Sequence, residues 1–174
     1  MRQYSLCLDD DTTPAGALLV REPDGAVRPA RRAEILTVAR ELVTTDELRG
    51  EDLGEPEKVK GFLRLRLAGL EHEICGLLLL DNRMRLIAYL EPFRGTLNQA
   101  AVYPREIVKL ALHYNAAALM LVHNHPSGLA QASQADLHLT RTIKQALSLV
   151  DVRLVDHFIV AGTTVLSMAQ DGLL

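Results

Sequence analysis

Apolar positions along the chain fall into blocks whose spacing switches between the helical and the extended repeat. From Arg31 to Thr44, Ile35, Val38, Ala39 and Leu42 recur three or four residues apart, which predicts an amphipathic helix. A second helix is predicted to open at Pro56, a residue suited to a first turn, and to run through Val59, Phe62, Leu63 and Leu67 towards Gly69. Glu73 to Leu80 is a near-continuous apolar run of strand length. Asp81-Asn82 signals a turn, and Met84 to Leu90 reads as the return strand of a hairpin. A connection containing Pro92 and Gly95 follows. Pro104 then opens a third helix, with Ile107, Val108, Ala111 and Leu112 as its apolar side and Asn115 as its stop. Ala117 to Val122 reads as a buried strand that runs into the polar turn His123-Asn124-His125-Pro126-Ser127-Gly128. Ser133 opens a fourth helix with Leu139, Ile143, Leu147 and Val150 on one side. Val152 to Val160 and Val165 to Met168 are two further strands around a turn at Ala161-Gly162-Thr163-Thr164. Interleaved strands and helices predict an α/β domain with a mixed sheet.

Ahead of these blocks the pattern is weak. Pro14, Gly16, Pro23, Gly25 and Pro29 punctuate two short apolar stretches, Tyr4–Leu8 and Ala17–Val20, which suit either a hairpin or a loose arm. Thr44 to Gly54 is polar and reads as a linker. The expected organisation is a small N-terminal extension with one helix over 1–54, followed by the main domain over 55–174.

Composition narrows the function classes. Of 174 residues, 48% are hydrophobic and 24% charged, which is globular rather than disordered. The net charge of −3 gives no basic field, so charge does not support nucleic acid as a partner. Aromatic residues are only 4% with no Trp, a poor supply for base stacking. The longest apolar runs, Ile74–Leu80 and Ala116–Val122, fall far short of the ~20 residues that span a bilayer, so no membrane role is expected. The start, Met1-Arg2-Gln3-Tyr4-Ser5, turns acidic at Asp9–Asp11 and does not read as a signal peptide. Cys7 and Cys75 make neither a disulfide framework nor a CxxC site, and the expected compartment is cytoplasmic.

The strongest chemical constellation is His123, His125, Ser133 and Asp136. Histidines at i and i+2 in an extended stretch face the same side and can converge on one ion. The chain after His125 is long enough to turn and present Asp136 from the first turn of the next helix. Two imidazoles and a carboxylate suit Zn²⁺, and three protein ligands leave a position for water, the mark of a catalytic rather than a structural site. Bound water would become a nucleophile near neutral pH. Ser133 and Asp136 also read as a helix capping box without any metal. A hydrolytic site needs a carboxylate to shuttle the proton, and Glu73, partly desolvated at the start of an apolar strand, is the candidate. Asp156 and His157 are candidates for supporting hydrogen bonds around the ligands. A zinc deaminase would need H-x-E and P-C-x-x-C, and neither is present; nor is a P-loop, G-x-G-x-x-G or G-x-S-x-G.

These residues resemble a known pattern. His123-x-His125-Pro126, then Ser133, then Asp136, looks like the JAMM motif of the JAB/MPN metalloprotease superfamily. Phe93-Arg94-Gly95-Thr96-Leu97, Val102-Tyr103-Pro104-Arg105-Glu106, His123-Asn124-His125-Pro126-Ser127-Gly128 and Asp156-His157 together resemble its bacterial RadC-like branch, over about Glu55 to Leu174. The resemblance implies a cytidine-deaminase-like α/β fold, with a mixed sheet packed between helices. It implies Zn²⁺ on His123, His125 and Asp136, Glu73 as catalytic base, and Ser133 hydrogen-bonded to the metal water or the oxyanion. It implies a zinc-dependent metallopeptidase acting on a peptide or isopeptide amide of a peptide or protein substrate. Full-length RadC proteins carry a helix-hairpin-helix segment ahead of this domain. The first ~50 residues here show no clear G-x-G hairpin, and such short versions resemble those on mobile elements. The second reading is a non-catalytic metal-binding module linked to DNA repair or mobile-element maintenance. Domains of this size commonly pair about a two-fold axis, so a homodimer is an open expectation.

Overall fold

The computed structural model describes residues 4–5, 18–42, 49–67, 69–95 and 102–174. Cys7, the end of the first apolar stretch and the Thr96-Leu97 part of the motif above lie outside the described residues. The chain divides into two compact units, Met1–Thr44 and Thr45–Leu174.

In the first unit, β1 (Tyr4–Ser5), β2 (Leu19–Arg21) and β3 (Val27–Pro29) form an antiparallel sheet in that order, and α1 (Arg32–Leu42) follows. β2 and β3 are joined by a tight turn in which Gly25 adopts φ 89°, which suits glycine. The Arg28 guanidinium donates to Glu22 and Glu34 and holds the Glu34 carboxyl down at about 2.

The second unit contains α2 (Pro56–Leu67), β4 (Ile74–Leu80), β5 (Leu86–Arg94), α3 (Pro104–His113), β6 (Ala118–Asn124), α4 (Gln134–Ser148), β7 (Arg153–Ala161) and β8 (Thr164–Ser167). Its five strands run in the order β5-β4-β6-β7-β8. β6 and β7 are parallel, with α4 as their crossover, and the other neighbours are antiparallel. This is the mixed α/β architecture that the sequence predicts. β4 and β6 are buried along their whole length because both faces of the sheet are covered. On one face, Cys75, Leu77 and Leu79 of β4 and Leu119 and Leu121 of β6 pack with Ile107 and Ala111 of α3 and Ile143 and Leu147 of α4. On the other, Tyr89 of β5 meets Phe62 of α2 edge to face at 5.2 Å. No helix among the described residues is long and apolar enough to cross a membrane.

Two local departures from the sequence pattern have physical causes. The hairpin turn is longer than Asp81-Asn82. The Asp81 carboxylate accepts from the amides of Arg83 and Arg85 and carries Met84 through φ 61°, so β5 starts only at Leu86. β5 also continues through Pro92 to Arg94, where a connection is expected. Its register against β4 shifts between Cys75 and Leu77, and the strand lies at the sheet edge, so a residue without an N–H is accommodated there. Residues 50–53 of the expected linker run beside the start of β5. Gly50 and Leu53 donate to the carbonyls of Leu86 and Met84, and Leu53 is buried.

Gly76 lies in that irregular stretch of β4. A Cβ there would sit 3.1 Å from the Tyr89 hydroxyl, 3.1 Å from Val122 Cγ1 and 3.2 Å from the Leu90 carbonyl oxygen. Backbone on one side leaves little room to yield. Gly76→Ala is expected to lower unfolding stability by about 1–3 kcal/mol, read from urea denaturation.

Candidate metal centre

The site forms where β6 ends. His123 is opposite Cys75 of β4 and Ile159 of β7, and it continues the row of Leu119 and Leu121 towards α4. His125 lies just past the strand, its amide donating to the Val160 carbonyl. The chain then turns at Gly128, whose φ of 80° suits glycine. The expected same-side placement of residues two apart in an extended stretch is met: the rings of His123 and His125 have centroids 4.6 Å apart.

Ser133 caps α4 in a full capping box. The Asp136 amide donates to the Ser133 hydroxyl at 3.1 Å, while the Ser133 amide and hydroxyl donate to Asp136 Oδ2 at 2.7 and 2.6 Å. The cap thus occupies Oδ2 and leaves Oδ1 towards His123 Nε2 at 3.2 Å, and His125 Nε2 lies 3.6 Å from Oδ2. One ligating atom from each of His123, His125 and Asp136 falls within 4.8 Å of the others.

Protonation fits a cation at this point. His125 Nδ1 lies 2.9 Å from the Leu129 carbonyl, which can only accept, so Nδ1 holds the proton and Nε2 points inward. His123 Nε2 and His125 Nε2 are 2.7 Å apart, a separation that needs a proton or a metal between two lone pairs. Burial raises the Asp136 carboxyl, but the His123 and His125 rings beside it and the Ser133 hydroxyl outweigh that and hold the group well below the usual carboxylate range. The neighbouring Asp136 carboxylate lifts His125 above the ordinary imidazole value. Two imidazoles and one ionised carboxylate therefore make a borderline nitrogen–oxygen set that fits a zinc-type ion.

An open groove of about 1040 Å³ runs over this cluster, and Glu73, Cys75, Tyr103, Leu129 and Ser133 line it with the three candidate ligands. Glu73 is the half-buried residue just ahead of β4. Its carbonyl accepts from Gly95, and the neighbouring backbone is fixed by Asn124, which accepts from the Ile74 amide at 2.8 Å and donates to the His72 carbonyl at 3.0 Å. Cys75 lies opposite His123, but burial pushes its thiol far above the usual range, so it is neither a ready thiolate ligand nor a nucleophile.

Of Asp156 and His157, only His157 reaches a ligand. Its Nε2 is 2.8 Å from His123 Nδ1, and its ring is fully buried, which holds it neutral. Successive strand residues face opposite sides of the sheet, so Asp156 cannot reach the same ion site. Its carboxylate instead accepts from its own neighbour's amide, the Ser167 hydroxyl and the Ala169 amide, tying β7 to the end of β8. The sequence pattern gives Asn124 a place in the motif but no role, and it does not single out Thr140. Thr140 is buried one turn after Asp136, with its hydroxyl 2.6 Å from His157 Nδ1. A threonine on the Asp136–Ile143–Leu147 stripe of α4 was the available signal.

The fold and the site together define an α/β domain with a two-histidine, one-aspartate centre at the carboxyl end of its central strand. A family model described as a RadC-like JAB domain matches residues 53–173. The UPF0758 protein of Methylibium petroleiphilum is 52% identical over 149 residues, 84% of this chain and 67% of that protein. The UPF0758 protein of Leptothrix cholodnii is 47% identical over 167 residues, 91% of this chain and 75% of that protein. That of Acidovorax sp. strain JS42 is 52% identical over 148 residues, 83% of this chain and 62% of that protein. The chain belongs to the RadC-like JAB domain family, and it spans about two thirds of the length of such relatives.

A metal ion held at this centre would compete with protons. Because His125 is raised, its protonated form persists to higher pH than in a free imidazole and competes with a cation over a correspondingly wider range. Zinc affinity measured by calorimetric titration is expected to fall steadily as pH is lowered from about 8 to about 5.5. His123→Ala is expected to reduce the bound metal, counted by elemental analysis, from about one ion per chain to nearly none.

Proposed function

We propose that this protein is a zinc-dependent metallopeptidase that hydrolyses a peptide or isopeptide amide. The observation that carries the reading is the composition of one groove: His123, His125 and Asp136 as a ligand set, with Glu73 and Ser133 on the same walls. When bound, Zn²⁺ would supply Lewis acidity towards the scissile carbonyl and towards a water molecule. Glu73 takes the proton from the attacking water and returns it to the leaving amine. Ser133 turns its hydroxyl proton from Asp136 Oδ2 to the developing oxyanion. His157 and the Leu129 carbonyl hold the rings of His123 and His125 in place from behind.

A peptide or protein segment is the substrate class this reading takes, supported by an open groove that sets polar groups beside the exposed Tyr103 and Leu129 side chains. Digestion of a mixed peptide library by the zinc-loaded chain tests the reading. New amine termini are expected with the wild type, and Glu73→Gln is expected to lower their rate of appearance by at least about 100-fold while zinc stays bound. Zinc-loaded wild type that leaves the library intact but binds DNA in a salt-sensitive manner overturns the enzyme reading in favour of a binding module.

A further inference from the structure

We propose that Thr140 and His157 fix the tautomer of His123, so that His123 Nε2 presents a lone pair to the cation position. The relay starts at the Asp136 carbonyl. That oxygen can only accept, and the Thr140 hydroxyl lies 2.6 Å from it. A hydroxyl has one proton, and of its two neighbours at 2.6 Å the Asp136 carbonyl can only accept whereas His157 Nδ1 can accept or donate; the Met168 sulfur at 3.7 Å is a weak acceptor. The proton therefore goes to Asp136, and the Thr140 oxygen is left to accept. His157 Nδ1, 2.6 Å away, must donate to it. A neutral imidazole with its proton on Nδ1 has a bare Nε2. That atom faces His123 Nδ1 at 2.8 Å, so His123 donates and keeps its own proton on Nδ1. His123 Nε2 is then bare, facing Asp136 Oδ1 and His125 Nε2, and without a cation the proton between the two rings belongs to His125.

Run in the opposite sense, the same contacts would place a proton on His123 Nε2, where the cation must bind. The choice between the two is made by a single hydroxyl, and burial of Thr140 and His157 keeps water from supplying a substitute proton. The relay begins and ends on one residue: the Asp136 backbone sets the direction, and the Asp136 carboxylate is the ligand at the far end. Thr140 is thus a positioning residue that never touches the ion.

The inference rests on His123 being a ligand, as in the reading above, but its first test needs no metal. Long-range proton–nitrogen spectra of the metal-stripped chain, taken at pH about 8.5 where free imidazoles are neutral, report which ring nitrogen holds the proton. In the wild type, His123 and His157 are both expected as Nδ1–H forms. Thr140→Val keeps the shape and removes the hydroxyl. It is expected to give His123 a mixed or Nε2–H signature and to weaken zinc binding about 10- to 100-fold, with both restored in Thr140→Ser. A wild-type His123 with its proton on Nε2 overturns the inference. So does a folded Thr140→Val chain with an unchanged tautomer and unchanged zinc affinity. If Thr140→Val fails to fold, the wild-type spectrum decides alone. A wild type that binds no zinc sinks the metallopeptidase reading, while the tautomer spectra still decide the relay.

Discussion

The pairing of β6 with β4 on one side and β7 on the other is the constraint on which the site depends. From Ala118 to His123 each residue of the central strand pairs with both neighbours, across one register shift against β7 between Leu119 and Met120, and from Met120 onward this fixes the side-chain alternation of β6. A slip by one residue would turn His123 to the opposite face and bring Asn124 under α4. The single parallel contact in the sheet matters for the same reason. It forces a crossover, the crossover is α4, and the beginning of α4 returns to the level where β6 ends. The carboxylate at 136 arrives beside the imidazoles because the chain has no other short way back to the sheet.

What the sequence discloses is what short-range spacing encodes. The i, i+2 histidines, the capping serine and the aspartate three positions later are local patterns, and each one has its counterpart in the fold. The helices from Pro56 and from Pro104 follow from proline at the first turn and a regular apolar stripe. The hidden features are those that depend on long-range register. Asp156 and His157 are adjacent letters, and only the sheet decides that one faces the ligands and the other ties two strands together. Pro92 reads as a strand breaker until β5 is known to be an edge with an irregular register. Thr140 stands in no motif, and Asn124 stands in one that assigns it no role. Their importance comes from partners 17 and 52 positions away, a separation that no periodicity records.

The centre is also a study in buried polarity. His123, Asp136, Thr140 and His157 lie together in a region otherwise packed with Leu, Ile and Val. Each unpaired donor or acceptor there would cost about 1–3 kcal/mol. The hydrogen bonds from His123 to His157, from His157 to Thr140 and from Thr140 to the Asp136 carbonyl meet that demand behind the groove. Such a network resists replacement one member at a time, because removing one partner strands another.

The Asn124 clip has a consequence of its own. It fastens the strand that follows the glutamate to the strand that holds the histidines through a neutral amide. An amide neither titrates nor attracts counter-ions, so the spacing between the two halves of the centre should hold steady across acidity and ionic strength. The walls stay put while the groups inside them change charge. Acid sensitivity in the living protein would then originate in proton exchange at the ligands, with the frame around them acting as a fixed gauge.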